Sequence, residues 1–271
     1  MIRINNLIYR YPDGTQVLDS VSLDICKEEF VAIAGKNGSG KSTLLRHMNA
    51  LLLPTEGSVI VNGMDTTDPS SILNIRQMTG MVFQDPESQF LGMTVEEDLA
   101  FGPENLGLLQ EEIRKRVNRA VQNVGMQEYK DHTPRSLSGG QKQKVALASV
   151  LAMEPEIILF DEVTSMLDPK SRKEILDLIT QLNENGTTVV YITHRLEELV
   201  HADRLIVMEN GSITHNGNPR IILSQGDAMN FGFELPPMIE LAKRLCDSGF
   251  IDPACFPLSR EELREALCRL I

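Results

Sequence analysis

Apolar and polar side chains alternate over residues 2–8 and again over 20–26, the period of half-buried strands, with Pro12-Asp13-Gly14 marking the turn between them. Phe30 to Ala34 is a short apolar run that feeds into a glycine-rich loop, and Ser42 to Leu52 then follows a helical period. Val59-Ile60-Val61 with Asn62-Gly63 reads as an edge hairpin, and Met78 to Phe83 as a buried strand ending at Gln84. The middle of the chain is helical in pattern: Val95 to Phe101, then Gln110 to Val124, where Ile113, Val117, Ala120, Val121 and Val124 recur at helical spacing. A second alternation follows, with a strand at Ile157 to Phe160, a helix at Lys170 to Leu182 and a strand at Thr187 to Thr193. Leu205 to Met208 then pairs through Asn210-Gly211 with Ser212 to His215. This order predicts an α/β fold with a largely parallel core sheet and an antiparallel flank.

Beyond Gly226 the pattern changes. Pro236-Pro237 opens a segment with Met238, Leu241, Ala242 and Leu245 on one helical face, and Ser259 with Glu262 is a capping-box signature ahead of Leu263, Leu267 and Leu270. Such a tail is too small to hold a core alone, so it is expected to pack on the main domain or on a second copy.

Composition narrows the class. With 271 residues, 42% hydrophobic and 24% charged, the chain fits one large domain, or one plus an appendage. The longest apolar candidate, Val145 to Met153, is broken by Ser149 and stopped by Glu154, short of a membrane span. Met1-Ile2-Arg3-Ile4-Asn5 reads as the start of a strand and not as a secretion signal, so a cytoplasmic chain is expected, and any membrane role must come through a partner. A net charge of −12 argues against nucleic acid and bare anionic lipid as partners. Cys26, Cys246, Cys255 and Cys268 show no metal-ligand spacing and read as reduced thiols.

The chemistry gathers in three stretches. Gly35-Lys36-Asn37-Gly38-Ser39-Gly40-Lys41-Ser42-Thr43 lies between a strand and a helix, the context a phosphate loop requires. Its glycines let successive N–H groups point at phosphate oxygens, the helix N-terminus adds its dipole, Lys41 neutralises the β- and γ-phosphates, and Ser42 can ligate Mg²⁺. Ile157-Ile158-Leu159-Phe160-Asp161-Glu162 ends an apolar strand in two carboxylates, a costly ending without a cation nearby. Asp161 is placed to hold the Mg²⁺ shell and Glu162 to face the water that attacks the γ-phosphate. Between them, Leu137-Ser138-Gly139-Gly140-Gln141 opens another helix N-terminus and so a second anion site. His194 closes a strand at the carboxyl edge of the sheet, Asp168 before Pro169 suits a helix N-cap, and Tyr11 is a candidate for stacking on adenine, with Tyr9 as its competitor.

Taken together, these three motifs resemble the ATPase subunit of ABC transporters over residues 1 to about 225. The resemblance implies a P-loop ATPase of that type, with an antiparallel β subdomain and an inserted helical subdomain at about 85–150, followed by a short C-terminal helical region at 226–271 that helps pair two ATPases. It implies ATP and Mg²⁺ as ligands. It also assigns roles: Gln84 touches Mg²⁺ or the attacking water, His194 contacts the γ-phosphate, and Ser138, Gly139, Gly140, Gln141 and Asp168 reach the nucleotide of the opposite subunit.

Local features point to one branch. Phe83-Gln84-Asp85-Pro86-Glu87-Ser88-Gln89, the run from Thr94-Val95-Glu96-Glu97-Asp98 to Asn105, and the tail from Leu235 to Leu270 look like the energy-coupling factor ATPases, which include those of cobalt and nickel uptake. That branch implies a second ATPase chain, identical or related, an integral membrane scaffold and a membrane-embedded substrate-binding protein, with the ATPase peripheral at the cytoplasmic face. Glu96-Glu97-Asp98 is a candidate contact for arginines of the scaffold. Val163 and Lys144 depart mildly from the usual Ala and Arg. Competing readings are the ATPase of an ordinary importer and a soluble ABC ATPase of cofactor assembly. With about 120 residues between Lys41 and Asp161 and no heptad array, a DNA-repair ATPase is disfavoured.

Overall fold

The alternating N-terminal segments form two long antiparallel strands, β1 (Ile2–Arg10) and β2 (Gln16–Ile25), joined by a turn in which the Tyr11 and Gly14 amides donate to Thr15 O and Tyr11 O. Both outrun the simple alternation, because register shifts and left-handed backbone at Asn6 and Ser20 break the two-residue period without ending the ladder. A computed structural model describes residues 1–225, 231 and 237–268. With β4 (Glu56–Val61) and β5 (Met64–Asp65), the first two strands make a sheet of order β2-β1-β4-β5, its hairpin turned by Asn62 and Gly63, both at positive φ.

The second sheet has the order β10-β9-β3-β8-β7-β6. Its members are β3 (Phe30–Ala34), β6 (Thr79–Val82), β7 (Ile157–Asp161), β8 (Thr188–Ile192), β9 (Arg204–Glu209) and β10 (Ser212–Gly217). β3 runs parallel to β9 and β6 parallel to β7, while β9 and β10 form the antiparallel flank. β3, β7 and β8 are buried at every position, which is why they read as unbroken apolar runs.

The chain divides into two compact units, Met1–Thr67 with Val190–Ile271, and Asp68–Val189. The first holds helix α1 (Lys41–Met48), which ends at Met48 and not at Leu52, because the chain turns at Asn49 and Ala50 takes a left-handed conformation. It also holds α7 (Pro219–Gln225), α8 (Pro237–Asp247) and α9 (Arg260–Cys268). The tail packs on this unit's own sheet: Ile239, Ala242, Phe256, Leu258 and Leu263 share a core with Ala32, Ala34, Leu205 and Val207. The buried stripe of α8 is Ile239, Ala242 and Leu245, so Leu241 faces outward, one position off the face read from the sequence. Glu262 completes only half a capping box. Its amide donates to Ser259 Oγ, while its carboxylate accepts from Leu258 N and forms a bidentate pair with Arg220 at 2.8 Å through both guanidinium nitrogens. Gly226, Leu235, Pro236 and Leu270, and the side chain of Met238, lie outside the described residues.

The second unit contains α2 (Ile72–Met78), α3 (Val95–Asn105), α4 (Gln110–Asn123), α5 (Gly139–Leu151) and α6 (Pro169–Glu184) around β6 and β7. Met78 ends α2 and does not open β6, so the strand is shorter than the apolar run. α2 buries only Ile75, too little to leave a helical period in the sequence. Among the described residues no helix is long and apolar enough to cross a membrane.

Candidate nucleotide site

In the first unit, β3 delivers the chain into a loop whose glycines are required by space and by φ. Gly35 has φ +151, and a Cβ there would lie 2.3 Å from Met208 O; Gly40, at φ +101, would meet Leu18 Cδ2 at 2.9 Å. Gly38 takes φ +80 in open space. α1 starts directly at Lys41, with Gly40 as its N-cap, so its first N–H groups face the loop. Lys41 is buried and donates from Nζ to Gly35 O at 2.8 Å and Lys36 O at 3.1 Å, two contacts that hold the ammonium inside the loop. Ser39 Oγ is buried and has no hydrogen-bond partner among the described residues, a polar group whose desolvation calls for an incoming partner. Lys36, Asn37, Gly38 and Ser39 line a cavity of about 380 Å³ together with Glu209 and Asn210.

The two candidate tyrosines differ in setting. Tyr9 is buried, edge-on to both Tyr11 and His47, with centroids 5.0 and 4.7 Å away. Tyr11 is half-buried, and its hydroxyl lies 3.3 Å from Thr43 Oγ1, which brings its ring to the phosphate-loop helix. His194 follows β8 by two residues and is half-buried. The preceding residue is fixed by a hydrogen bond from Thr193 N to Ile33 O.

In the second unit, Asp161 ends β7 and is buried, whereas Glu162 turns out of the strand in a left-handed conformation, φ 52. A non-glycine residue in that region is uncommon, and the turn separates the two consecutive carboxylates instead of letting them alternate across the sheet. Gln84 Nε2 lies 3.5 Å from Glu162 Oε2 and 3.2 Å from Ser165 Oγ, and Ser165 Oγ donates to Glu162 O at 2.8 Å. Ser165 opens the Ser165-Met166-Leu167-Asp168 loop, which the resemblance to the ABC ATPases assigns to the interface between two chains; its bonds to Gln84 and Glu162 are a second role that the sequence did not signal.

The signature stretch caps α5. Ser138 Oγ accepts from Gln141 N, and Gln141 Oε1 accepts from Ser138 N at 2.9 Å, a full capping box. Gly139 borders open space, whereas a Cβ on Gly140 would press on Ser171 Oγ at 2.4 Å. Asp168 is the N-cap of α6, accepting from Lys170 N and Ser171 N; the Ser171 hydroxyl and these amides hold its carboxyl below the usual range. Lys144 pairs with Glu174 at 2.6 Å, and Lys142 pairs with Glu87, just beyond Gln84, at 2.6 Å.

The acidic stretch read as a contact for arginines is divided: Asp98 is spent internally, while Glu96 and Glu97 are exposed. Asp98 is buried and accepts from Leu91 N, Gly92 N and Ser149 Oγ; Glu97 closes the capping box of α3 with Thr94; Glu96 pairs with Lys130 at 3.7 Å. The exposed feature nearby is apolar. Leu91, 67% exposed, and Phe101 border a groove of about 190 Å³ with Gly102 and Met153.

Comparison with known proteins agrees with this arrangement of motifs. The family described as ABC transporter matches residues 18–165, more than half of the chain. The energy-coupling factor transporter ATP-binding protein EcfA of Methanosarcina acetivorans is 53% identical over 270 residues, covering 100% of this chain and 98% of that one. EcfA1 of Clostridium novyi is 51% identical over 276 residues, with the same coverage. Among solved structures, cbiO1 of Clostridium perfringens, described as part of the ABC transporter complex cbiONQ, superposes with a TM-score of 0.77 at 33% identity, covering 92% of this chain and 96% of that one. A dimeric ATP-binding cassette in a post-hydrolysis state with ADP and Pi superposes at 0.74 with 34% identity, covering 81% and 99%. The chain belongs to the ABC transporter ATPases, among the ATP-binding proteins of energy-coupling factor transporters.

Proposed function

We propose that the chain binds and hydrolyses ATP as one of a pair of ATPase chains at the cytoplasmic face of a membrane, powering uptake of a vitamin or transition-metal ion through a membrane scaffold and a separate substrate-binding subunit. In this reading residues 1–225 are the ATP-binding domain, with its helical subdomain at about 85–150, and residues 226–271 support packing and pairing. The observation that carries it is the turn at Glu162, whose carboxylate leaves an apolar strand to meet Gln84 while Asp161 stays buried.

Lys41, the loop amides from Gly35 to Thr43 and the unpartnered Ser39 hydroxyl fit a polyphosphate. Ser42, Asp161 and the Gln84 amide oxygen are hard oxygen donors suited to Mg²⁺, which would neutralise charge developing on the phosphates. Glu162 accepts the proton of the attacking water as the bond to the γ-phosphorus forms and the bond to the β-phosphate oxygen breaks. Gln84 orients that water, and His194 donates to the γ-phosphate. Ser138, Gly139, Gly140, Gln141 and Asp168 complete the pocket of the partner's nucleotide, so that ATP joins two chains and hydrolysis parts them. The exposed apolar groove at Leu91 and Phe101 supports docking of a partner.

Purification from detergent-solubilised membranes tests the assignment. An integral membrane protein and a second ATPase chain are expected in the complex. Recovery with soluble partners alone would favour a cofactor-assembly ATPase.

A further inference from the structure

We infer that Glu198 is a positioning residue for His194, fixing the chain on both sides of it through the Thr193 hydroxyl. The inference rests on the reading of His194 as a γ-phosphate contact. Glu198 lies in a short 3-10 helix, Leu196–His201, and is 1% exposed. Its neighbours Leu196 and Leu199 belong to the apolar core. A carboxyl buried there is costly unless it is hydrogen-bonded, and two hydroxyls supply the bonds. Tyr191 OH donates to Glu198 Oε2 at 2.9 Å, and Thr193 Oγ1 donates to the same oxygen.

The second bond is the informative one. With its proton committed to Glu198, the Thr193 hydroxyl presents a lone pair, and that lone pair accepts from Arg195 N at 3.0 Å. The Thr193 amide meanwhile donates to Ile33 O, two residues before Gly35. Thr193 and Arg195 flank His194, so one carboxyl orients the hydroxyl that ties them together, while β3 anchors the same residue. Remove the acceptor and the Thr193 rotor is free to turn its proton elsewhere, releasing Arg195 N and with it the backbone that aims the imidazole. Tyr191 also packs edge-on against Phe30, so the trio is held by the core on one side while its hydroxyl bonds reach the residues that flank His194.

The test is a double-mutant cycle in the purified full-length chain, reading kcat and KM for ATP, with thermal melting as the control for folding. Glu198→Met keeps the length of the side chain and removes the oxygen that both hydroxyls share. It is expected to lower kcat at least about tenfold with KM within about twofold, and Thr193→Val to do the same. In the His194→Ala background, adding Glu198→Met should change kcat by less than about twofold, because the residue it positions is gone. A folded Glu198→Met chain with wild-type kcat, or an undiminished further loss in the His194→Ala background, overturns the inference. If Glu198→Met does not fold, Thr193→Val decides alone by the same readings. His194→Ala at wild-type rate would overturn the reading of His194 itself, an outcome separate from the other two.

Discussion

Gln84 and Glu162 meet across two loops of the second unit, amide nitrogen 3.5 Å from carboxylate oxygen, with the Ser165 hydroxyl 3.2 Å from the same nitrogen. An amide beside a carboxylate can hold a water between donor and acceptor without neutralising the base. Glu162→Gln is therefore expected to bind ATP and accumulate as a dimer while kcat falls by about 10²–10⁴-fold. Phosphate release and size-exclusion chromatography with ATP measure both effects, and normal turnover would reject Glu162 as the base.

Lys41→Ala should lose nucleotide affinity before anything else. Its ammonium is held by two loop carbonyls and carries the charge that a polyphosphate needs. Titration with a fluorescent ATP analogue reads the loss directly; unchanged binding would contradict the phosphate-loop assignment.

Leu91→Asp places a charge in the exposed apolar groove. Recovery of the membrane partner should drop severely, whereas ATP binding by the isolated chain stays intact. Equal recovery of the complex would remove this groove from the docking surface.

Acid should weaken the fold through His47. Burial lowers its pKa below 6.5, against the pull of the Thr43 and Leu53 carbonyls. The folded chain thus keeps this ring neutral while the unfolded chain takes up a proton. Stability is complete above the unfolded value and falls as pH drops below about 6.5, levelling once the folded pKa is passed. In melting curves across that range, His47→Gln should show a flatter slope than wild type; parallel slopes would place the dependence elsewhere.

The strands and motif-bearing loops were legible because each is fixed by a local rule. Phe30–Ala34 and Ile157–Asp161 are buried on both faces and so read as apolar runs; Asn62-Gly63 and Asn210-Gly211 supply the left-handed turn residues. Asp168 announced its cap through Pro169. What stayed hidden depends on partners distant in sequence or on faces too narrow to count. α2 buries a single residue, the stripe of α8 sits one position off, and Glu262 spends its carboxylate on Arg220. In the acidic run at 96–98, surface charge and a buried side chain use the same letters; Asp98 is set apart by the Leu91 and Gly92 amides and the Ser149 hydroxyl, all distant from it in pattern.

The first unit is interrupted by the second, since residues 68–189 intervene between its two parts. β3 pairs with β9, matching Val31 to Arg204 and Ala34 to Val207, and its other neighbour is β8. As the chain leaves the ribosome, five core residues at positions 30–34 therefore wait for partners made well over a hundred residues later. Late closure of this kind makes folding slow and leaves a sticky edge bare during synthesis, so a helper that shields nascent chains should raise soluble yield more than any change to the finished surface.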